Sequence, residues 1–341
     1  MLRVEYGASV AGYNTFGIDC RVRCLAVVEG EEDLDELAGR EDLSGDDVLV
    51  VGKGSNVVFG KRFEGVVVVM ESKGERVERE DESSVWIRVA AGEVWDEFVK
   101  RCVGRGMYGV ENLVAIPGTV GASAVQNIGA YGVEAKNVIE SVEVWDRMGG
   151  ERRRLTNEEC GFGYRNSVFK SEWGKRWVVT AVTYRLEKEY RPILTYAPLV
   201  SAMENEKDRS ARRVSEKIEE IRWSKLPKPE EMGSAGSFFK NPVVGEERYE
   251  ELRGKYPTMV GHRVEGGWKL SAGWLIDNCG WKGRREGRCR VYEKQALVIV
   301  NCGGCDGVEV RRLAGKVMED VWAKYGVRLE PEAVYAGVFE E

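Results

Sequence analysis

Histidine is almost missing from this 341-residue chain, in which His262 is the single example. A metal site built from several histidines is therefore excluded. A Ser-His-Asp triad would have to use His262, which lies in a polar, glycine-containing stretch typical of a surface loop. If the chain is an enzyme, its acid–base chemistry falls on serine, tyrosine, lysine or carboxylate side chains, or on a cofactor.

Long apolar runs and an excess of positive charge are missing as well. No apolar run reaches the length of a membrane span, the N-terminal Met1–Tyr6 has no signal-peptide core, and the net charge is −6. The basic runs are short, as at Arg152–Arg154, which argues against general nucleic-acid binding. We expect a cytoplasmic protein that binds neither membranes nor nucleic acids.

The familiar phosphate-binding fingerprints are also absent. The chain contains no P-loop motif G-x-x-x-x-G-K-[ST]. The nearest dinucleotide fingerprint is Gly52–Val57, which follows the apolar run Val48–Val51 as a Rossmann turn would. However, Val57 stands where the third glycine belongs, and the next segment does not have a helical pattern. These features exclude a standard Rossmann turn.

The eight cysteines are too scattered to predict a disulfide framework in a chain of this size. Cys302 and Cys305 form a C-x-x-C pair, but a zinc ribbon needs a second pair and a redox motif needs a thioredoxin-like context. We interpret this pair as a turn after a strand, and we predict no metal site.

The most unusual stretch that is present runs from Ile116 to Gly132, with four glycines and no charged side chain. Its glycine content alone favours a loop with several turns of positive φ. Its length and its polar residues Ser123, Gln126 and Asn127 favour contact with an extended cofactor whose phosphates bind backbone N–H groups.

Periodicity predicts alternating strands and helices along the chain. We predict strands at residues 21–28, 48–51, 65–70, 84–91, 138–145, 176–186 and 295–300, the sixth long enough to be central in its sheet. We predict helices at residues 31–38, 92–103, 207–224, 268–279 and 308–325. Leu226–Pro229 is proline-rich and marks a domain boundary.

Three further stretches carry candidate functional side chains, each with a plainer alternative. The segment Cys160–Lys170 is either a plain surface loop or a loop that positions the guanidinium of Arg165 for bidentate binding of a carboxylate. Gly233–Pro242 is either a turn that leads into a strand or a segment that holds an exposed serine, Ser237, against the aromatic residues Phe238 and Phe239. Leu329–Tyr335 has two carboxylates beside a proline, which also suits an edge strand with solvated acids.

Taken together, collinear motifs between residues 14 and 332 resemble the UDP-N-acetylenolpyruvylglucosamine reductases, the flavoenzymes of bacterial peptidoglycan synthesis. No single motif is decisive, but the ordered set is specific and covers nearly the whole chain. The segments Leu194–Tyr196 and Ser224–Pro227 resemble the longer, type I branch. The matching motifs are Asn14–Asp19, Gly52–Asn56, Glu111–Gly132, Gly163–Lys170, Gly233–Val244, Lys269–Asp277, Glu293–Val298 and Leu329–Glu332.

The resemblance implies an α+β fold with a vanillyl-alcohol-oxidase-type FAD-binding unit. Its two subdomains would span residues 1–70 and 71–225, a substrate-binding domain 226–327, and a segment returning to the active site 328–341. FAD would lie along two glycine-rich stretches, with its pyrophosphate held by backbone N–H groups. The implied cofactor-binding residues are Gly52, Lys53, Gly54, Ser55, Asn56, Pro117, Gly118, Gly121, Ala122, Ser123, Gln126, Asn127, Gly129, Ala130, Tyr131 and Gly132.

The implied reaction has two halves. NADPH gives a hydride to FAD, which delivers it to C3 of the enolpyruvyl group of UDP-N-acetylenolpyruvylglucosamine, and a protein acid protonates C2 to give UDP-N-acetylmuramate. The resemblance implies that Arg165 and Glu332 polarise the carboxylate and enolate, while Ser237 donates the proton. Tyr196, Lys225 and Asn241 match substrate-contacting positions. We expect a monomer.

Two positions differ from the family pattern. Tyr292 stands where the family more often has histidine, and the loop Gly280–Arg290 is unusually basic.

Two other functions compete with the reductase. One is a flavin-dependent oxidase of an alcohol or hydroxy acid on the same FAD-binding fold, which would not need NADPH. The other is a non-catalytic flavin- or nucleotide-sugar-binding protein, which the presence of Arg165, Ser237 and Glu332 disfavours.

Overall fold

The computed structural model of the protein describes residues 2–41 and 47–340. Strands and helices are mixed along the chain, and most strand pairings are antiparallel, as expected for an α+β protein. The strands are β1 Arg3–Tyr6, β2 Arg21–Val28, β3 Val48–Val51, β4 Val57–Phe59, β5 Arg62–Met70, β6 Glu75–Glu80, β7 Ser84–Ala90, β8 Gly129–Ala130, β9 Val133–Glu134, β10 Ile139–Asp146, β11 Arg152–Thr156, β12 Trp177–Glu187, β13 Ser234–Ser237, β14 Val243–Val244, β15 Gly261–Val264, β16 Gly267–Leu270, β17 Arg285–Glu286, β18 Cys289–Val291, β19 Val298–Asn301 and β20 Val334–Ala336.

The helices begin and end at residues whose local chemistry accounts for them. Helix α8 begins after Asp306, whose side chain accepts a hydrogen bond from the backbone N–H of Glu309 at 2.9 Å. It ends at Gly326, which adopts a left-handed φ of 60°. The helices are α1 Glu31–Ala38, α2 Trp95–Gly104, α3 Val120–Gln126, α4 Ala197–Met203, α5 Ala211–Lys225, α6 Glu246–Lys255, α7 Ala272–Asn278 and α8 Gly307–Tyr325.

Residue contacts divide the described chain into two compact units. The first contains the described residues within Met1–Ala8, Arg23–Lys53 and Gly65–Trp223, and the second contains Ser9–Val22, Gly54–Glu64 and the described residues from Ser224 on. The chain therefore enters the second unit twice before residue 65. The predicted subdivisions at residues 70/71, 225/226 and 327/328 stay predictions.

The first unit is built around a five-stranded antiparallel sheet of order β11-β10-β12-β7-β6. The predicted central strand is β12, which lies in the middle of this sheet. A second sheet has the order β1-β2-β5-β3. The core of the first unit contains the fully buried rings of Trp95, Phe98 and Tyr184, whose centroids lie 5.0–5.8 Å apart. Burial of each such ring contributes roughly 2–3 kcal/mol.

The second unit contains three small sheets, of order β13-β19-β18-β17, β14-β16-β15 and β20-β4. The C-terminal strand β20 runs parallel to β4, with Val334 opposite Val57. Phe238 and Phe239 are buried and pack edge-on with centroids 5.2 Å apart.

Two local predictions are wrong. The helix predicted over residues 268–279 is strand β16 followed by α7, because Ser271 caps the helix by accepting a hydrogen bond from the N–H of Trp274 at 3.2 Å. Trp268 instead stacks on Tyr249 at 3.9 Å within the preceding strand. His262 is exposed, as predicted, but it lies in strand β15 rather than in a loop.

Candidate functional site

The glycine-rich stretch of the first unit forms α3 and the turns on either side of it. Backbone φ is positive at Gly118 (128°), Asn127 (41°), Tyr131 (50°) and Gly132 (84°). Asn127 ends α3 and is buried. Its amide donates to the carbonyl oxygen of Gly163 at 2.8 Å and its side-chain oxygen accepts from the N–H of Lys136 at 3.0 Å. This side chain fixes the stretch to the neighbouring loops.

Packing by itself explains why some of the predicted cofactor residues are what they are. A Cβ at Gly52 would lie 2.2 Å from Thr119 Oγ1, and one at Gly121 would lie 2.8 Å from Ala91 Cβ. The hydroxyl of Ser123 donates to the carbonyl of Val120 at 2.7 Å and lies 2.8 Å from a buried tyrosine hydroxyl. Their place in the sequence motif therefore has a structural explanation that needs no ligand.

Most of the predicted cofactor residues are nevertheless at least partly exposed. Lys53 and Gly132 are exposed, whereas Gly54, Gly121, Ser123 and Asn127 are buried. The half-buried members of the set are Gly52, Ser55, Asn56, Pro117, Gly118, Ala122, Gln126, Gly129, Ala130 and Tyr131.

The candidate catalytic residue Arg165 is held against this stretch. It occupies a left-handed position, φ 52°, in a tight turn closed by mutual backbone hydrogen bonds between Gly163 and Asn166. Its guanidinium donates to the carbonyl of Gly129 at 2.6 Å and to that of Asn127 at 3.4 Å. The structure thus brings together Arg165 and two predicted cofactor residues.

Gly129 leaves the room that this arginine uses. A Cβ at Gly129 would lie 3.0 Å from Arg165 Nη1 and 2.9 Å from Glu134 Cγ. Lys170 reaches the same stretch, since its ammonium donates to the side-chain oxygen of Gln126 at 3.0 Å and to the carbonyl of Arg165 at 3.0 Å.

A third cation, Arg222 on α5, was not found from the sequence. Its guanidinium donates to the carbonyl of Ala115 at 3.2 Å and contacts the hydroxyl of Tyr131. Burial lowers the pKa of Arg222, against the opposing effects of Tyr131 and Asp96. A signal was available, because Arg222 follows Val214 and Ile218 at steps of four and so falls on the buried face of the helix.

Tyr131 and Tyr196 form an aromatic pair next to these cations. Their rings pack edge-on with centroids 5.2 Å apart. Burial raises the pKa of Tyr131, although Arg222 lowers it. Tyr196 is 47% exposed just before α4, so a ligand can reach it.

In the second unit, Ser237 and Glu332 lie on neighbouring segments. The register of β13 against β19 shifts between Ser234 and Ser237, and Gly236 has a φ of 67° at this irregularity. Such a bulge re-aims the side chains next to it, and Ser237 is exposed whereas the two following phenylalanines are buried. The backbone N–H of Glu332 donates to the carbonyl of Phe238 at 2.8 Å.

Asn56, a predicted cofactor residue, holds the backbone of Glu332. Its amide donates to the carbonyl of Glu332 at 3.0 Å, and its own carbonyl accepts from the N–H of Val334 at 2.8 Å. Asn241 is fixed in the same unit because its side-chain oxygen accepts from the N–H of Ala272 at 3.0 Å. Lys225 is exposed at the end of α5.

The glycine-rich stretch has the composition of a site for an anionic ligand such as FAD. No acidic side chain lies between Ile116 and Gly132, and three cationic side chains contact this stretch or the residue before it: Arg165, Lys170 and Arg222. One nearby buried acceptor, Asn112 Oδ1, has no hydrogen-bond partner within the described chain. The three cations fit the negatively charged pyrophosphate of a flavin nucleotide, whereas the free Asn112 acceptor would suit a hydrogen-bond donor.

The described part of the chain contains no helix that is long and apolar enough to cross a membrane. It contains one close group of metal-ligating types, Cys289, Cys305 and Glu309, in which the two cysteines are joined by a disulfide. The sequence did not predict this pairing, although the turn predicted at Cys302–Cys305 does follow strand β19.

Two family models match the chain. A model described as a FAD binding domain matches residues 22–156. A model described as the C-terminal domain of UDP-N-acetylenolpyruvoylglucosamine reductase matches residues 228–336.

Similar proteins match over nearly the full length of the chain. Proteins called UDP-N-acetylenolpyruvoylglucosamine reductase are 46% identical in Pseudomonas aeruginosa, covering 97% of this chain and 98% of the relative, and 43% identical in Paraburkholderia xenovorans, covering 98% and 99%. The crystal structure of UDP-N-acetylenolpyruvylglucosamine reductase from Thermus caldophilus is 26% identical, with a TM-score of 0.71, and covers 98% of this chain and 100% of that one.

Proposed function

Because the chain belongs to the UDP-N-acetylenolpyruvoylglucosamine reductase family, we propose that Arg165, Ser237 and Glu332 carry out its chemistry. The reaction is the NADPH-dependent, FAD-mediated reduction of UDP-N-acetylenolpyruvylglucosamine to UDP-N-acetylmuramate in peptidoglycan synthesis. Bound FAD supplies the hydride relay, from NADPH to C3 of the enolpyruvyl group. We place this reaction in the cytoplasm and expect a monomer.

FAD is proposed to bind along Gly52–Asn56 and Pro117–Gly132. The backbone N–H groups of these segments would hold the pyrophosphate. Arg222 would place positive charge beside the bound cofactor, because its half-buried side chain donates to the carbonyl of Ala115 and contacts the hydroxyl of Tyr131.

Arg165 is proposed to bind the carboxylate of the enolpyruvyl group. Hydride addition at C3 develops negative charge that spreads into this carboxylate, so a fixed guanidinium there lowers the barrier. The two backbone carbonyls that accept from Arg165 fix its orientation in advance. Removal of one such preorganised donor costs roughly 10²–10³-fold in rate.

Ser237 is proposed to donate the proton that C2 receives. A serine hydroxyl is a weak acid and needs a strongly basic partner, which the carbanion-like C2 provides. The local backbone structure supports this role for Ser237. The bulge at Gly236 leaves Ser237 exposed, and the backbone bond between Phe238 and Glu332 brings the Glu332 segment alongside. Glu332 is proposed to polarise the developing enolate together with Arg165.

Tyr196, Lys225 and Asn241 are proposed to contact the nucleotide portion of the substrate. Tyr196 and Lys225 are exposed, and the ammonium of Lys225 suits a diphosphate. The hydrogen bond from Ala272 to Asn241 orients the Asn241 amide for recognition.

The test separates the two half-reactions. Purified protein is mixed anaerobically with NADPH and then with the enolpyruvyl nucleotide, while the flavin absorbance is recorded. We expect NADPH to bleach the flavin band of wild type and of Ser237→Ala at similar rates, and the nucleotide to restore it in wild type only. Ser237→Cys keeps a proton donor and serves as the matched control that retains part of the second step.

Other outcomes would contradict the proposal. Equal loss of both steps in Ser237→Ala would remove the proton-donor role. A flavin that NADPH cannot bleach but that an alcohol can would favour the oxidase alternative. The absence of any flavin band after FAD addition would contradict the FAD assignment itself.

A further inference from the structure

We propose that Cys289 and Cys305 form a reversible disulfide that attaches the basic hairpin β17–β18 to the start of helix α8. The two cysteines are 16 residues apart, are both buried, and have Cα atoms 5.8 Å apart. This Cα separation lies within the range of protein disulfides. The site is a thiol modification site outside the residues assigned to the reductase reaction.

The strand register explains how these cysteines meet. Cys289 on β18 pairs with Asn301 on β19. The side-chain oxygen of Asn301 accepts hydrogen bonds from the N–H groups of Gly303 at 2.9 Å and Cys305 at 3.0 Å. This turn folds the chain back, so Cys305 returns to the strand partner of Asn301. The pairing is therefore built by backbone geometry and one asparagine.

The neighbouring charges favour a dithiol–disulfide site over a metal site. Glu309 is the third group close to the two sulfurs, but both of its carboxylate oxygens are engaged. Oε2 accepts from Arg288 Nε at 2.8 Å and from the N–H of Asp306 at 3.2 Å, and Oε1 accepts from the N–H of Arg288 at 3.2 Å. A guanidinium at this position also disfavours a bound cation.

The disulfide anchors a short hairpin that carries three arginines, Arg285, Arg288 and Arg290. Strand β17 has only two residues, and a two-residue pairing is weak alone. Arg285 and Arg290 on this hairpin line a cavity of about 800 Å³ within the second unit, together with Asn14–Gly17, Pro229–Gly233 and Asn301–Gly303. The ion pairs of Arg288 with Asp306 and Glu309 also hold this hairpin, so we expect reduction of the bridge to increase the mobility of this cavity wall rather than to release it.

The turn beside the bridge gives reagents a route to the sulfurs. Gly303 and Gly304 are exposed and adopt left-handed φ values of 106° and 67°. Nothing lies within 4 Å of a Cβ at Gly303. The turn can therefore open at a lower free-energy cost than the strands beside it, once its two hydrogen bonds to Asn301 break.

The chemistry is two-electron thiol–disulfide exchange. One cysteine thiolate attacks a small-molecule disulfide, forming a mixed disulfide and releasing one small thiol, and the other cysteine then displaces the second small thiol. The two protein thiols lose two electrons and two protons overall, and the small-molecule disulfide is reduced to two thiols. A small dithiol reverses the reaction and leaves as its cyclic disulfide.

The experiment uses the full-length wild-type protein equilibrated with oxidised glutathione or with dithiothreitol. Free thiols are alkylated before digestion, and linked peptides are identified by mass spectrometry. We expect a Cys289–Cys305 peptide only in the oxidised sample, with both residues alkylated in the reduced one. Cys279→Ser is the matched control and should leave the link unchanged, whereas Cys289→Ser should abolish it.

Amide hydrogen exchange of residues 285–291 supplies the second measurement and needs no variant. We expect exchange to be several-fold faster in the reduced protein and unchanged in helix α2 of the first unit. Four results would overturn the proposal: both cysteines alkylated under oxidising conditions, a link between Cys302 and Cys305 instead, stoichiometric zinc released on thiol modification, or equal hairpin exchange in both states.

Discussion

Replacement of Gly129 by alanine tests whether Arg165 must keep its present position. The substitution adds one methyl group and removes no charge. Its Cβ would lie 3.0 Å from Arg165 Nη1 and 2.9 Å from Glu134 Cγ, closer than side-chain carbons normally approach other atoms. The φ of Gly129 is not in the left-handed region, so the effect is steric rather than conformational.

The expected magnitude follows from the hydrogen bonds at risk. Arg165 donates to the carbonyl of Gly129 at 2.6 Å, and a hydrogen bond to a charged group contributes roughly 1.5–3 kcal/mol. If displacement of the guanidinium loses this positioning in the transition state, kcat/KM for the enolpyruvyl nucleotide falls roughly 10- to 150-fold. Flavin reduction by NADPH should change little.

Gly163→Ala is the matched control, because Gly163 lies in the same turn as Arg165. A Cβ there would meet only Asn166 Cβ at 3.7 Å, an ordinary contact. The assay is anaerobic stopped-flow of each half-reaction, with the flavin content of each variant measured first. Wild-type kinetics in Gly129→Ala, or equal losses in both variants, would refute the reasoning.

Three further predictions concern stability and charge. Burial raises the pKa of Glu143, but hydrogen bonds from Arg88 and a second arginine outweigh burial and hold this pKa below its usual value. The stability that these hydrogen bonds contribute is present above the unfolded-state pKa of about 4.3, and it is lost as the pH falls through the lower pKa of the folded state. Glu143→Gln should therefore cost about 1–2 kcal/mol at pH 7 and less under acidic conditions, as measured by urea unfolding. Arg222→Met should weaken FAD binding measured by fluorescence, since it removes a cation that contacts the proposed FAD-binding stretch; tight FAD binding would contradict our assignment. Reduction of the Cys289–Cys305 bridge should cost about 3 kcal/mol of unfolding free energy for its loop of this length, and an unchanged urea midpoint would contradict it.

Local signals in the sequence predict most of the elements correctly. Helix α8 has an acidic N-cap, a regular apolar stripe and a terminal glycine, so its bounds follow almost directly from these signals. The length and apolar composition of β12 likewise predict a central strand. The start of α7 was predicted wrongly because Trp268 suits a helix stripe and a strand equally well, and only its stacking on Tyr249 decides between them.

The candidate site was predictable only where a motif carries it. Arg165, Ser237 and Glu332 lie within motifs of the family, and their roles stay predictions. Arg222 lies in a charge-dense helix, and its importance depends on the tertiary neighbours Ala115 and Tyr131. The Cys289–Cys305 pairing depends on a strand register and on the side chain of Asn301, and neither can be read from cysteine spacing.

The parallel pairing of β20 with β4 has a consequence for synthesis on the ribosome. Asn56 precedes β4 and bonds to Glu332, a residue 276 positions later. At roughly 5–20 residues per second, β4 emerges roughly 15–55 s before its partner is made. The nascent chain must therefore carry an unpaired apolar strand through most of its translation. A fragment that begins at Ser224 would lack this strand, so the second unit cannot be prepared intact by truncation at that point.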